Sequence, residues 1–139
     1  MTRPSRPPDL HLAIEPDSTA PRQARRALRG LLDDPDDPIA GDVELAASEL
    51  VSNVVQHSNG GGEMRVWDPK PDVPLRLEVE DHDPTLPALD GAEVPADAAS
   101  GRGLHIVQRV ADQWGASATL AGKIIWAEFD RVKRHLRRS

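Results

Sequence analysis

Residues 42–57, DVELAASELVSNVVQH, decide how the rest of the chain is read. Their apolar members Val43, Ala46, Ala47, Leu50, Val51, Val54 and Val55 recur at i, i+3, i+4, i+7. This is the period of an amphipathic helix with one buried face. Asp42 follows Gly41 and stands where an N-cap is expected. Glu49 and Asn53 lie four residues apart, which puts them on one ridge of the helix, one turn from each other. A carboxylate and a carboxamide so placed can serve as a base and a metal-binding oxygen, or can be plain solvated surface.

Outward from this helix, composition sets bounds. The chain has 139 residues, with three Trp, one Phe and no Tyr. One domain whose core is filled by Val, Leu, Ala and Ile fits that length. A net charge of −6 argues against broad binding to a phosphate backbone, so no direct nucleic-acid partner is expected. The absence of Cys excludes disulfides and thiolate metal sites, and no His pair stands at the sequence spacing of a structural zinc site. No long apolar run marks a membrane span or signal peptide, and a cytoplasmic protein is expected. Thirteen prolines cluster in the N-terminal tail and in 35–38, 69–74 and 84–95, where regular structure should stop.

In chain order, 1–9 is expected to be a flexible arm and 10–131 the folded domain. Residues 10–14 read as a short edge strand. A helix capped by Ser18 or Thr19, with Pro21 in its first turn, carries Ala24, Ala27, Leu28, Leu31 and Leu32. Strands are expected at 64–67 and 75–80, where Leu75, Leu77 and Val79 alternate with Arg76, Glu78 and Glu80. Asp81 ends the second of these. Residues 82–100 hold no sustained period, and a connection of this length suits a lid. Gly101-Arg102-Gly103 opens a helix with the stripe Leu104, Ile106, Val107, Val110 and Ala111, stopping near Trp114-Gly115. Strands at 116–120 and 124–129 then form a hairpin around 121–123, and both Trp114 and Trp126 are expected in the core. The basic tail, 132–139, is open between a fraying end and a contact arm. The order predicts an α+β two-layer sandwich: a mixed, mostly antiparallel sheet covered on one face by about three helices.

Three segments carry a joint chemistry. Backbone amides at a glycine-opened helix start suit phosphates. A side-chain amide oxygen suits Mg²⁺ that shares phosphate oxygens. A carboxylate at a strand end can accept a hydrogen bond from an exocyclic amine such as adenine's.

These segments resemble the GHKL, or Bergerat-fold, ATP-binding superfamily, which includes gyrase B and histidine-kinase ATPase domains. ELVSNVVQH (49–57) resembles its N-box, VEDHDP (79–84) its first glycine box and GRGLHIVQRVADQWG (101–115) its second. With the GKIIWAE hairpin at 122–128, the likeness is greatest to bacterial anti-sigma factors with serine-protein kinase activity. It spans about residues 10–130. The resemblance implies that Glu49 is the catalytic base, that Asn53 holds Mg²⁺, and that Asp81 recognises the adenine of ATP. It implies that Gly101, Arg102, Gly103 and Leu104 contact phosphate beneath a lid at 82–100. It implies a protein serine/threonine kinase that sequesters a sigma factor and phosphorylates an antagonist protein; a homodimer is implied by the family alone. The first box departs from the family's DxGxG: Asp81-His82-Asp83-Pro84-Thr85 has no glycine, and Ile124 stands where a threonine is common. A non-catalytic interaction module on the same fold is the alternative.

Overall fold

The computed structural model describes residues 3–57, 60–69, 72–83, 102–120 and 122–138, with the backbone alone at 102–103 and 135–138. It contains β1 (Leu10–Ile14), α1 (Ala20–Leu31), α2 (Ala40–His57), β2 (Gly62–Trp67), β3 (Leu75–Asp81), α3 (Arg102–Val110), β4 (Gln113–Ala118), β5 (Lys123–Phe129) and α4 (Arg131–Arg138). The strands make one sheet in the order β1-β2-β3-β5-β4, and every described neighbour pair is antiparallel. This is the expected α+β sandwich, with a sheet that is antiparallel throughout its described residues rather than mixed. No described helix is long and apolar enough to cross a membrane.

Alternation along the strands sorts the two faces. Leu12, Met64, Val66, Leu75, Leu77, Val79, Ile125, Ala127 and Phe129 turn toward the helices and make the core with Leu28, Ile39, Leu50, Val51 and Val107. α1 lies over β1, α3 over β4, and α2 between them above β3. Apart from Phe129 the buried core cluster is aliphatic, as the shortage of aromatic residues requires.

Several element boundaries differ from the sequence reading, each for a local reason. α2 begins at Ala40, before Asp42, because Asp37 Oδ1 accepts the Ile39 N–H (3.1 Å) and Val43 N–H already reaches the Ile39 carbonyl (2.9 Å). Ile39 is fully buried, so packing pulls the helix start back past Gly41. At α1, Thr19 makes no side-chain capping bond; Asp17 Oδ1 instead accepts the Thr19 N–H (2.8 Å). α3 ends at Val110, and β4 starts at Gln113 rather than 116. Gly115 is therefore a strand residue, and its role is clearance: a Cβ there would sit 2.7 Å from the Trp126 indole.

The outer face carries charge where an uncovered sheet usually carries scattered polar groups. Arg76 lies over the Trp126 ring at 4.6 Å and bonds Glu78 (3.0 Å) and Glu128 (3.2 Å). Trp114 packs against the core as expected, whereas Trp126 belongs to this outer face. Ahead of β1, Arg3 makes two hydrogen bonds to Glu78, and the Arg6 carbonyl accepts from Trp67 Nε1 (2.9 Å). Those contacts leave the Glu78 residue only 1% exposed.

At the opposite end of the chain, Asp130 Oδ1 caps α4 by accepting from Val132 N (2.9 Å) and Lys133 N (3.2 Å). Arg131 reaches both Asp37 and Asp68, tying α4 to the connector before α2 and to the end of β2. Burial works against the charge of Arg131, but the hydrogen bonds and charges of these two carboxylates outweigh it and raise its pKa above the ordinary arginine value. Arg134 bonds Asp42, Asp112 and the Val110 carbonyl, and so holds the start of α2 beside the end of α3.

Candidate functional site

The placement of Glu49 and Asn53 follows from the turn of α2. At about 100° per residue, Glu44 and Ser48 fall on one flank of its buried stripe, and Glu49 and Asn53 fall on the other. Arg29 Nε donates to Glu44 Oε1 (3.0 Å) and Arg25 Nη1 to Ser48 Oγ (2.7 Å), so the first flank faces α1. α3 packs against α2 from the opposite side, over β4. Glu49 and Asn53 therefore border the groove between α2 and α3, both half-buried. Among the described residues, neither the Glu49 carboxylate nor the Asn53 carboxamide has a hydrogen-bond partner.

The Arg134 contacts set the direction of the neighbouring helix. They bring the first turn of α2 beside the last residue of α3, so the two helices run in opposite senses. With a rise of about 1.5 Å per residue, Glu49 and Asn53 stand roughly 10 and 16 Å along α2 from Asp42. Arg102 stands roughly 12 Å back along α3 from Val110. The start of α3 thus comes level with the Glu49–Asn53 turn. Leu104 is buried there and anchors that end of α3 in the core. Gly101 lies outside the described residues, as do the side chains of Arg102 and Gly103 and all of the expected lid except His82 and Asp83.

Asp81 occupies the last position of β3, paired with Gly62 at the start of β2 and Lys123 at the start of β5. Gly62 follows α2 after a short connection, so Asp81 lies at the end of the sheet where α2 finishes. The residue is 6% exposed, and Oδ1 accepts the Asp83 N–H (3.0 Å). This turn buries Asp83 against the strand end and makes the glycine-free box a closed hydrogen-bonded corner.

Two glycines flank this corner. A Cβ at Gly62 would overlap the Glu80 carbonyl oxygen, and one at Gly122 would overlap the Asp81 carbonyl oxygen while standing 3.2 Å from Asp83 N. Both obstacles are backbone and cannot rotate away. Sequence reading had Gly122 only within the hairpin motif; its contact with Asp81 needs the β3–β5 pairing. Gly122→Ala is expected to cost about 1–3 kcal/mol in chemical denaturation, the usual toll of overpacking. Unchanged stability would mean that the hairpin moves aside without disturbing Asp81.

The groove end thus gathers a base-type carboxylate, a side-chain amide, the amides of a helix start and a buried strand-end carboxylate. These are donors and acceptors of the kinds a purine nucleotide with a divalent cation requires.

Solved structures share this architecture. The crystal structure of the RsbU and RsbW domains of Rv1364c from Mycobacterium tuberculosis matches with a TM-score of 0.63 and 19% identity, covering 91% of this chain and 33% of that one. The histidine kinase domain of the Erythrobacter litoralis EL346 blue-light activated histidine kinase matches at 0.53 and 16%, covering 85% of this chain and 62% of that one. The chain therefore spans a third of the first and under two thirds of the second. Among curated proteins none matches it by sequence. The model of the histidine kinase-like ATPase domain matches residues 14–129, from the last residue of β1 to the last of β5. Strands β2 to β5, the three helices above the sheet and the groove end between α2 and α3 all lie within that match, and the chain belongs to the histidine kinase-like ATPase domain family.

Proposed function

We propose that this protein binds ATP with Mg²⁺ in the groove between α2 and α3 and transfers phosphate to a serine of a partner protein. In this reading it is a cytoplasmic regulator that holds a sigma factor, and the antagonist protein whose serine it phosphorylates switches it. The observation that carries the proposal is the convergence of the Glu49–Asn53 ridge, Asp81 and the start of α3 at one end of the sandwich. The RsbW domain named in the Mycobacterium tuberculosis structure supports the choice of a partner-switching regulator over a histidine kinase.

The residues fit the proposed ligand in kind. Asp81, buried and backbone-locked, would accept from the adenine amine. Asn53, with an amide oxygen unengaged among the described residues, would hold Mg²⁺, and the amides of Gly101 through Leu104 would meet phosphate. ATP with Mg²⁺ supplies the phosphoryl group and the charge that offsets its oxygens. Glu49 takes the proton of the attacking serine hydroxyl, and the groove walls align that hydroxyl.

Calorimetric titration with ATP in Mg²⁺ tests the binding step. Asp81→Ala and Asn53→Ala are each expected to weaken binding at least tenfold: the first removes a hydrogen bond to a charged group, which contributes about 1.5–3 kcal/mol, and the second removes a ligand of Mg²⁺. Parental affinity in both variants would remove the nucleotide from this groove. A second reading, a non-catalytic interaction module, is favoured by the closed Asp81–Asp83 corner. Absence of binding at millimolar ATP would select it.

A further inference from the structure

The alternation that turns Asp81 toward the helices turns Glu80 and His82 to the outer face of the sheet. There Glu80 stands directly across from Glu63 on β2. Like charges in directly opposed positions destabilise a sheet unless a cation sits between them. Arg65 supplies part of that compensation, through Glu80 Oε1 (2.7 Å) and a longer contact to Glu63 Oε2 (3.3 Å). It does not supply all of it. The ion pairs of this face join four carboxylates, Glu63, Glu78, Glu80 and Glu128, to three guanidinium groups, Arg3, Arg65 and Arg76. Among the described residues these pairs leave one carboxylate more than guanidinium groups.

The remaining donors point at one another in a way that a cation explains. His82 Nε2 lies 3.2 Å from Glu63 Oε2 and 3.6 Å from Glu80 Oε2. The three donor atoms all fall within 4.8 Å of one another, and all three residues are half-buried. A tetrahedral zinc site with bonds of about 2.1 Å sets its donor atoms about 3.4 Å apart, between the two observed separations. The other carboxylate oxygens are already held: Glu80 Oε1 by Arg65, and Glu63 Oε1 by the His11 imidazole. Outer partners of this kind orient metal ligands in established sites.

We propose that Glu63, Glu80 and His82 bind one divalent transition-metal ion of the zinc class on the outer face of the sheet, with His11 and Arg65 as outer partners. Imidazole with two carboxylates suits zinc better than magnesium, which prefers oxygen ligands and its own waters. On binding, Arg65 keeps Glu80 Oε1 and gives up its longer contact to Glu63. The ion then bridges the β2 and β3 strands at the residue next to Asp81, on the face opposite the nucleotide groove. No pair of these ligands stands close together in sequence except Glu80 and His82, so sequence spacing gave no zinc signal.

The test is calorimetric titration of the full chain, stripped of metal by chelation, with Zn²⁺ alone. One saturable site is expected, unaffected by a large excess of Mg²⁺. His82→Ala and Glu80→Gln should each weaken it at least tenfold, in line with the tenfold to hundredfold losses known even for outer partners. His105→Ala, on an exposed position of α3, should leave it unchanged. Metal-free thermal melts of each variant confirm that it folds, and Zn²⁺ should raise the parent's melting temperature but not that of His82→Ala. X-ray absorption of the zinc-loaded parent should show nitrogen and oxygen ligands including imidazole. The proposal is overturned by no saturable binding in the parent, by parental affinity in His82→Ala, or by an equal loss in His105→Ala.

Discussion

Glu49→Gln is expected to slow phosphate transfer to a partner serine by about 10²–10⁴-fold, the span general base catalysis supplies, while ATP affinity stays near parental. The substitution keeps the shape of the side chain and removes only its ability to take a proton. Glu49 is half-buried beside α3 and has no hydrogen-bond partner among the described residues, so little else depends on its charge. Asn53→Ala, one turn along the same ridge, should instead weaken nucleotide binding. The contrast separates proton transfer from ligand positioning, and it is read by following radiolabelled phosphate on a candidate antagonist at saturating ATP. Equal transfer by Glu49→Gln and parent would remove Glu49 from the chemistry and favour the interaction-module reading.

Arg131→Ala is expected to lower folding stability by about 3–5 kcal/mol, the usual loss when one partner of a buried ion pair is removed. Arg131 bonds Asp37 at 3.0 and 2.9 Å and Asp68 at 2.8 and 3.1 Å, and the carboxylate side chains are only 4% and 2% exposed. Truncation leaves two nearly buried negative charges without their guanidinium. The melting temperature should fall on the order of 10 °C, taking about 2–4 °C per kcal/mol for a domain near this size. Arg131→Lys should recover part of the loss, because an ammonium keeps the charge but cannot span both carboxylates in one plane. Denaturant titration of the two variants, together with Arg131→Met in an Asp37→Asn, Asp68→Asn background, measures this. If removing all three charges is as damaging as Arg131→Ala, the loss does not come from the charge of the two carboxylates.

Much of this architecture was legible in the chain. The 3.6-residue period over 42–57 marked α2, and the alternation over 75–80 marked β3, because an amphipathic helix or half-buried strand must repeat with its own geometry. Glu49 and Asn53 shared a ridge for the same reason. Boundaries were less legible. Gly41 and Gly115 read as stops, yet Gly41 lies inside the first turn of α2 and Gly115 inside β4. A glycine ends an element only when the surrounding packing does not need the chain to continue. At α2 the buried Ile39 and the Asp37 cap extended the helix, and in β4 the indole of Trp126 required a residue without a Cβ.

The sequence by itself determined the element types from β1 to β5, the family likeness over nearly the whole chain, and the residues that could form a nucleotide groove; it left the tail that forms α4 unassigned. Tertiary structure alone decided which flank of α2 faces α3, since that depends on Arg25 and Arg29 of α1 engaging Ser48 and Glu44. It also sent Trp126 to the outer face beneath Arg76, clasped Asp81 between Gly62 and Gly122, and gathered Glu63, Glu80 and His82. The physical reason is that periodicity reports only whether a residue faces inward or outward. Which residues from distant segments then meet is set by strand register and helix packing, and those are long-range choices that local spacing does not encode.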